Sequence, residues 1–529
     1  MFARGEPPDA TYAFKHALIQ ETAYQSLLKH TRQQLHARIG SILEERFPER
    51  VAAQPEVIAR HYDQAGLAEQ AIAHYQRAGE RAAERSANDE AIGHLRRALA
   101  LVMTLPETRQ RHQRELGLLM AIGAPLSAAR GWTNPEYEGV FVRARELVSE
   151  IGESPELPRV LEGMAAAYLM KGDLATSAEV AQQTLAAAAH TGEPFDRLLG
   201  EVALGTALLY QGSFAQAEEH LEHAIRLYDP GEHAAFAYAL GFDRGGATYA
   251  HAANCQLYLG RLDRALALSE QAVALARRVD HPPTLALALF QAGVVCYERR
   301  ELKGLAERIE ELVPLAEQVG LPFWLGGGQF FRGVLRAESG AGEEGLAEMQ
   351  QALIDLAGLG YGLGASAVLL VFAKGLWKLG RHDEALGTLD LGLAQAQQQG
   401  QHYADADLHR VRAEILLDRG GAAAEEVEAI LRRSLEIARR QQAKLFELRA
   451  AMTMARLWQG QRKQRRAREL LDPVYAWFRE GLDTRDLKDA RAQLDELTSP
   501  SSSTSPSAAS PGSSTRRQPR RSSPSSRRP

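Results

Sequence analysis

One spacing decides most of what this chain is able to fold into. A glycine or other turn residue recurs at Gly172, Gly212, Gly260, Arg300, Gly340, Gly380, Gly420 and Gly460, always 40 residues apart except for one interval of 48 after Gly212. Residues 257–275, LYLGRLDRALALSEQAVAL, show the unit. A helix ends at Leu257 and Tyr258, Gly260-Arg261-Leu262 turns, and a second helix carries Ala265, Ser269 and Ala272 on one face. Gly260 takes the positive φ that closes the first helix, Asp263 favours the next N-terminus, and the small residues let helices approach closely. Such a hairpin keeps one apolar flank uncovered until a neighbouring copy packs on it. The period predicts an all-α, tetratricopeptide-like solenoid, a right-handed superhelix of helical hairpins that needs no single core for 529 residues.

The punctuation of the chain divides it further. Residues 1–11 read as an extended lead-in, and the apolar positions Phe14, Leu18, Tyr24, Leu27 and Leu28, then Leu35, Ile39, Ile42 and Leu43, mark two helices within residues 1–50. Residues 51–130 read as irregular helical hairpins, with Asn88 or Asp89 as a helix cap and a connecting segment from 106 that holds a helix through Leu116 to Ile122. The regular array is expected over 131–498 in units of about 40 residues. No sustained period-2 alternation predicts strand. Residues 499–529 switch to Ser, Pro and Arg and read as a disordered tail.

Charge and cysteine content narrow the functional classes. The net charge is −5, yet six arginines sit in the acid-free tail, so residues 1–498 are more acidic than the whole. An acidic body argues against nucleic acid as a partner. The most apolar run, Ala365 to Phe372, is far too short for a membrane span and is followed by Lys374. Cys255 and Cys296 give no disulfide framework; their near-equivalent places in consecutive repeats read as small core residues in a reducing cytoplasm.

Particular stretches carry a family resemblance. The turn with Ala five residues past the glycine (Gly212/Ala217, Gly260/Ala265, Gly380/Ala385) resembles tetratricopeptide repeats. PDATYAFKHALIQETAYQSLLKHTRQQLHARI at the start, GLPFW at 320–324, ARRQQAKLFELRAA at 438–451 and LLDPVYAWFREGLDTRDLKDARAQLDEL at 470–497 are similar to segments of large bacterial signalling proteins. Those proteins join a class III adenylate/guanylate cyclase domain, a P-loop ATPase of the STAND type and a tetratricopeptide-like C-terminal region. No Gly-Lys pair occurs in this chain, so it has no phosphate-cradling loop of that kind and no cyclase segment. The resemblance therefore implies the C-terminal part of such a protein, beginning within the region that follows the ATPase. It implies a non-catalytic regulatory and protein-interaction module without a cofactor, binding a partner or inducer on its superhelical surface. A cyclase/ATPase module would contact residues 12–47. The alternatives are a free-standing scaffold, or an enzyme component active only with a separately encoded cyclase/ATPase chain.

The remaining candidates stand beside plainer readings. His16 would report on nucleotide only in a complete ATPase and is otherwise a helix histidine. His220 and His223 share a helix face, as half a metal site would, but Glu218, Glu219 and Glu222 make that face a solvated one and no further ligand completes it. Phe323, Trp324, Phe330, Phe331 and Tyr361 bracket Gly326, Gly327 and Gly328, either as a partner surface with an approachable backbone or as inter-repeat core. Arg462, Lys463, Arg465, Arg466 and Arg468 read as a solvated basic face. No catalytic constellation and no metal signature stands out.

Overall fold

The computed structural model describes residues 2–4, 11–13, 21–22, 24–152 and 154–498. They form an α-solenoid of helical hairpins; the one strand pair among them is Phe2–Arg4 antiparallel to Thr11–Ala13, with Phe2 opposite Ala13. His16, Phe14, Leu18 and the tail fall outside the described residues.

The turn register follows the glycine spacing. Gly172, Gly212, Gly260, Gly340, Gly380 and Gly420 all carry positive φ, between 73° and 103°, and Arg300 adopts 62° without being glycine. The last position differs: Gly460 ends the helix Lys444–Gly460, and Arg462 takes the left-handed conformation at φ 60°. A second series lies midway, at Gly320, Gly360 and Gly400, with Asp280 and Gln442 in equivalent places. The chain thus reverses about every 20 residues over this stretch, one helix at a time. The 48-residue interval is filled by short helical pieces, Pro230–His233, Ala234–Phe236 and Ala237–Leu240, between the helices Phe214–Leu227 and Arg244–Tyr258.

Two local expectations are corrected. The helix at Asn88–Val102 begins with Asn88 itself and has no side-chain cap, because Ser86 makes the reversal with φ 58°. The supposed connecting segment is a 22-residue helix, Arg109–Arg130, capped by the Thr108 side chain and running through Pro125.

In the reference hairpin, Leu262, Ala265, Ser269, Ala272 and Val273 are all essentially inaccessible. Its first helix, Arg244–Tyr258, is buried along its whole length apart from Tyr249, although it contains Arg244, His251, Asn254 and Gln256. Neighbours meet three of those polar groups: Arg244 pairs with Glu162 at 2.7 Å, Asn254 donates to Gln291 and Gln256 to Glu218, both at 2.8 Å. A helix polar in sequence becomes central because the superhelix closes around it.

The closure is visible as a seam between residues about 150 to 230 positions apart. Gly362 and Leu363 donate backbone bonds to the Met170 carbonyl at 3.0 and 3.3 Å, and Thr133 bonds to the Leu359 carbonyl. The Gln401 amide spans Gly362 and Gly364 at 2.8 and 2.7 Å and lies where a Cβ on Gly172 would be. Gln441, 40 residues on, bonds to the His402 carbonyl at 2.7 Å and covers Gly212 in the same way. Farther along, Glu480 accepts from the amides of Asp263 and Arg264 at 3.1 Å, while the Asp263 carboxylate accepts from Gly481 at 2.8 Å. That is a capping box made between distant segments, which closes the N-terminus of the helix Leu262–Val279.

A charged groove inside the superhelix

The first helices of successive hairpins, Pro282–Glu298, Pro322–Glu338, Ala365–Lys378, Asp405–Arg419 and Lys444–Gly460, with Arg485–Thr498, surround a groove of about 1260 Å³. Its walls include Tyr297, Val334, Met349, Val371, Trp377 and Met452, and its floor is ionic. Asp407 is wholly buried; Arg410 Nε lies 2.6 Å from its Oδ1 and Lys374 Nζ 3.0 Å from its Oδ2. Arg410 continues to Glu414 at 2.6 Å, and Glu414 accepts from Thr453 at 2.7 Å and pairs with Arg456 at 3.0 Å. Arg449 joins Glu298 at 2.6 Å to Asp486 at 2.8 Å, and Arg300 reaches Asp486 and Asp489 at 3.4 and 3.1 Å.

Asp407, Lys374, Glu414 and Asp486 stay charged. Burial pushes the Asp407 carboxyl up, but Arg410, Lys374 and Arg449 reverse this and hold it well below the ordinary carboxylate range. Burial disfavours the Lys374 ammonium, and Asp407, Tyr297 and Glu298 outweigh that and raise its pKa. Asp486 and Glu414 are likewise pushed up by burial and brought down further by Arg449 and Arg410 respectively. The groove thus presents fixed charges beside apolar side chains, suited to recognising a ligand that has both.

The residues singled out from sequence lie elsewhere. Trp324, Phe330 and Phe331 are buried, and Phe323 and Tyr361 are partly buried. Phe323, Trp324 and Tyr361 surround Trp132 with ring centroids 6.2–6.4 Å away, Phe242 stacks on it at 5.2 Å, and the space left is about 10 Å³, one water's worth. Phe330 and Phe331 pack together, and Phe331 meets Phe290 and Tyr297. The room above Gly326, Gly327 and Gly328 is occupied by Leu356, Phe290 and Val313. His220 and His223 both face Glu201, at 2.6 and 2.7 Å, and no metal-binding cluster occurs among the described residues. Both cysteines are free and buried: burial raises the Cys296 thiol to about 11 and the Cys255 thiol further, while Cys255 contacts the Phe214 carbonyl at 3.1 Å. No helix among the described residues is long and apolar enough to cross a membrane.

Outside the groove, the helix Lys29–Arg46 has an unusual orientation. Only Gly40 is buried, against Tyr62, while Leu35, Ile39 and Ile42 form an exposed stripe flanked by Leu28 and Phe47. The inward side is polar. Tyr24 and His36 lie 3.0 Å apart, His36 and His61 share a contact of 2.8 Å, and Glu44 meets His74 and Tyr62.

No family model matches the chain. It is 25% identical over 456 residues to an uncharacterized protein of Rhizobium meliloti (strain 1021), a match covering 85% of this chain and 44% of that protein. The chain therefore spans under half the length of this curated relative. Among solved structures it is similar to a Rap protein complexed with competence and sporulation factor, at TM-score 0.49 and 11% identity, covering 72% of this chain and 99% of the other. It is also similar to a signal transduction ATPase with numerous domains that has a tetratricopeptide repeat sensor, from Pyrococcus horikoshii. There the TM-score is 0.38 and the identity 13%, over 92% of this chain and 67% of the other.

Proposed function

We propose that this chain is a non-catalytic regulatory and interaction module of a cyclase/ATPase-type signalling protein, and that its inner groove takes up a peptide or protein segment as partner or inducer. The observation that carries the reading is the groove floor itself. Buried ion pairs contribute little net stability against apolar packing, whereas fixed charges at defined spacing confer selectivity on a bound segment. The family half of the reading rests on the sequence segments quoted above. A photo-reactive residue placed at Trp377 or Leu417 in the groove should crosslink to the cognate partner far more than one placed at Arg468 on the outside. Equal crosslinking at all three would remove the groove from the mechanism.

The outward apolar stripe of helix Lys29–Arg46 supports docking of a companion module on residues 12–47. This end of the chain, with its polar inner seam, should then exchange amide hydrogens faster than the helices Arg244–Tyr258 and Leu262–Val279. Segment-resolved hydrogen exchange on a monomeric sample tests this. Equal protection would show that the helix completes the fold unaided and would end the case for a docked module.

A further inference from the structure

A second cavity, of about 760 Å³, opens between the segment 44–55 and the helix Ala68–Glu84. One wall is apolar, formed by Pro48, Val51, Ala52 and Pro55. The other presents Arg77, Arg81 and Arg85, four residues apart on successive helical turns, with His74 one turn before them. Elsewhere on the molecule many arginines are tied to carboxylates; these three are not. Arg81 donates to the Ala52 carbonyl and Arg85 to the Arg81 carbonyl at 3.3 Å. Arg77 makes no hydrogen bond or ion pair among the described residues and acts on Glu44 only at a distance.

Three carboxylates also line the cavity, and two of them are engaged by other donors. Glu44 accepts from Tyr62 and contacts His74 Nε2 at 2.7 Å, and Glu80 accepts from Gln76 at 2.8 Å, while Glu84 is exposed at the helix end. His74 is 4% exposed, and its buried Nδ1 has no hydrogen-bond partner. A buried polar atom left without a partner costs about 1–3 kcal/mol. Planar guanidiniums on one helix face donate bidentately to the oxygens of a phosphoryl group, and the opposite wall suits an apolar substituent.

We propose that this cleft binds a phosphomonoester, with its phosphoryl oxygens on Arg77 and Arg81 and its organic part against Pro48, Val51 and Pro55. Titration calorimetry of the full chain at low ionic strength, with phenyl phosphate and inorganic phosphate as probes, tests it. The expected result is saturable one-to-one binding, tighter for phenyl phosphate, and weakened about tenfold or more by Arg77→Gln. Arg77 is exposed, so that variant keeps the fold, and circular dichroism checks this. Arg468→Gln, an exposed arginine far from the cleft, should leave binding unchanged. Absence of saturable binding, or equal weakening by both variants, would overturn the proposal. Binding of a glutamate-rich peptide but of neither phosphate would overturn it too and make the cleft a docking face.

Discussion

Replacing Asp407 with asparagine is expected to cost about 3–5 kcal/mol at neutral pH, measured by urea denaturation. The substitution is nearly isosteric, so packing is preserved and only the charge is lost. Arg410 then keeps only Glu414, and the half-buried Lys374 lies beside a neutral amide with its desolvation no longer offset. The pH dependence follows from the direction of the shift. The folded-state pKa lies below the ordinary 3.8, so the carboxylate's contribution is complete above that value and falls away as pH drops below it toward the folded pKa. The gap between wild type and variant should accordingly narrow in acid and stay constant from pH 5 upward. A loss under about 1 kcal/mol would mean that water solvates the groove floor, and a gap that widens in acid would mean that burial outweighs the neighbouring cations and raises the Asp407 pKa.

Gly362→Ala is expected to destabilise the chain by about 1–3 kcal/mol, with Gly387→Ala as the control. Gly362 does not carry a positive φ, so backbone strain is not the reason. A Cβ there would fall 2.9 Å from the Lys171 carbonyl carbon and closer still to its oxygen, where only backbone displacement makes room. Gly387 has nothing within 4 Å of its virtual Cβ and lies inside the helix His382–Gln399, so alanine should stabilise by roughly 1 kcal/mol through helix propensity. Thermal denaturation of the two variants separates the effects. If Gly362→Ala melts like wild type, the two winds of the superhelix are not held in contact at this point.

The repeat architecture was legible because left-handed turns leave a compositional mark. Gly172, Gly212 and Gly260 advertise them, and a period in glycine is a period in structure. Arg462, Asp280 and Gln442 adopt the same conformation without that mark, so glycine spacing sets the last turn two residues early and leaves gaps in the midway series. The aromatic residues around Trp324 are conspicuous by type, but type alone does not separate a binding surface from a contact between winds. The groove floor is hidden for another reason. Glu298, Lys374, Asp407, Arg449 and Asp486 come from five different hairpins, and each one alone looks like an ordinary helical charge. A trace is present: Lys374 closely follows the apolar run 365–372, where a solvated charge has no obvious place. The seam leaves no trace at all, since Gln401 and Gln441 are unremarkable loop residues until the superhelix brings them over Gly172 and Gly212.

An open superhelix behaves as a spring, because its pitch changes by small rotations at every hairpin interface. Here Met170 is bonded to Gly362 and Leu363, and Asp263 and Glu480–Gly481 cap one another, so adjacent coils are stitched together along their length. A stitched coil resists extension and torsion as a tube does. On the proposed reading, strain introduced by an occupant of the groove has no soft mode to dissipate in, and is delivered to the two ends of the tube as a rigid displacement.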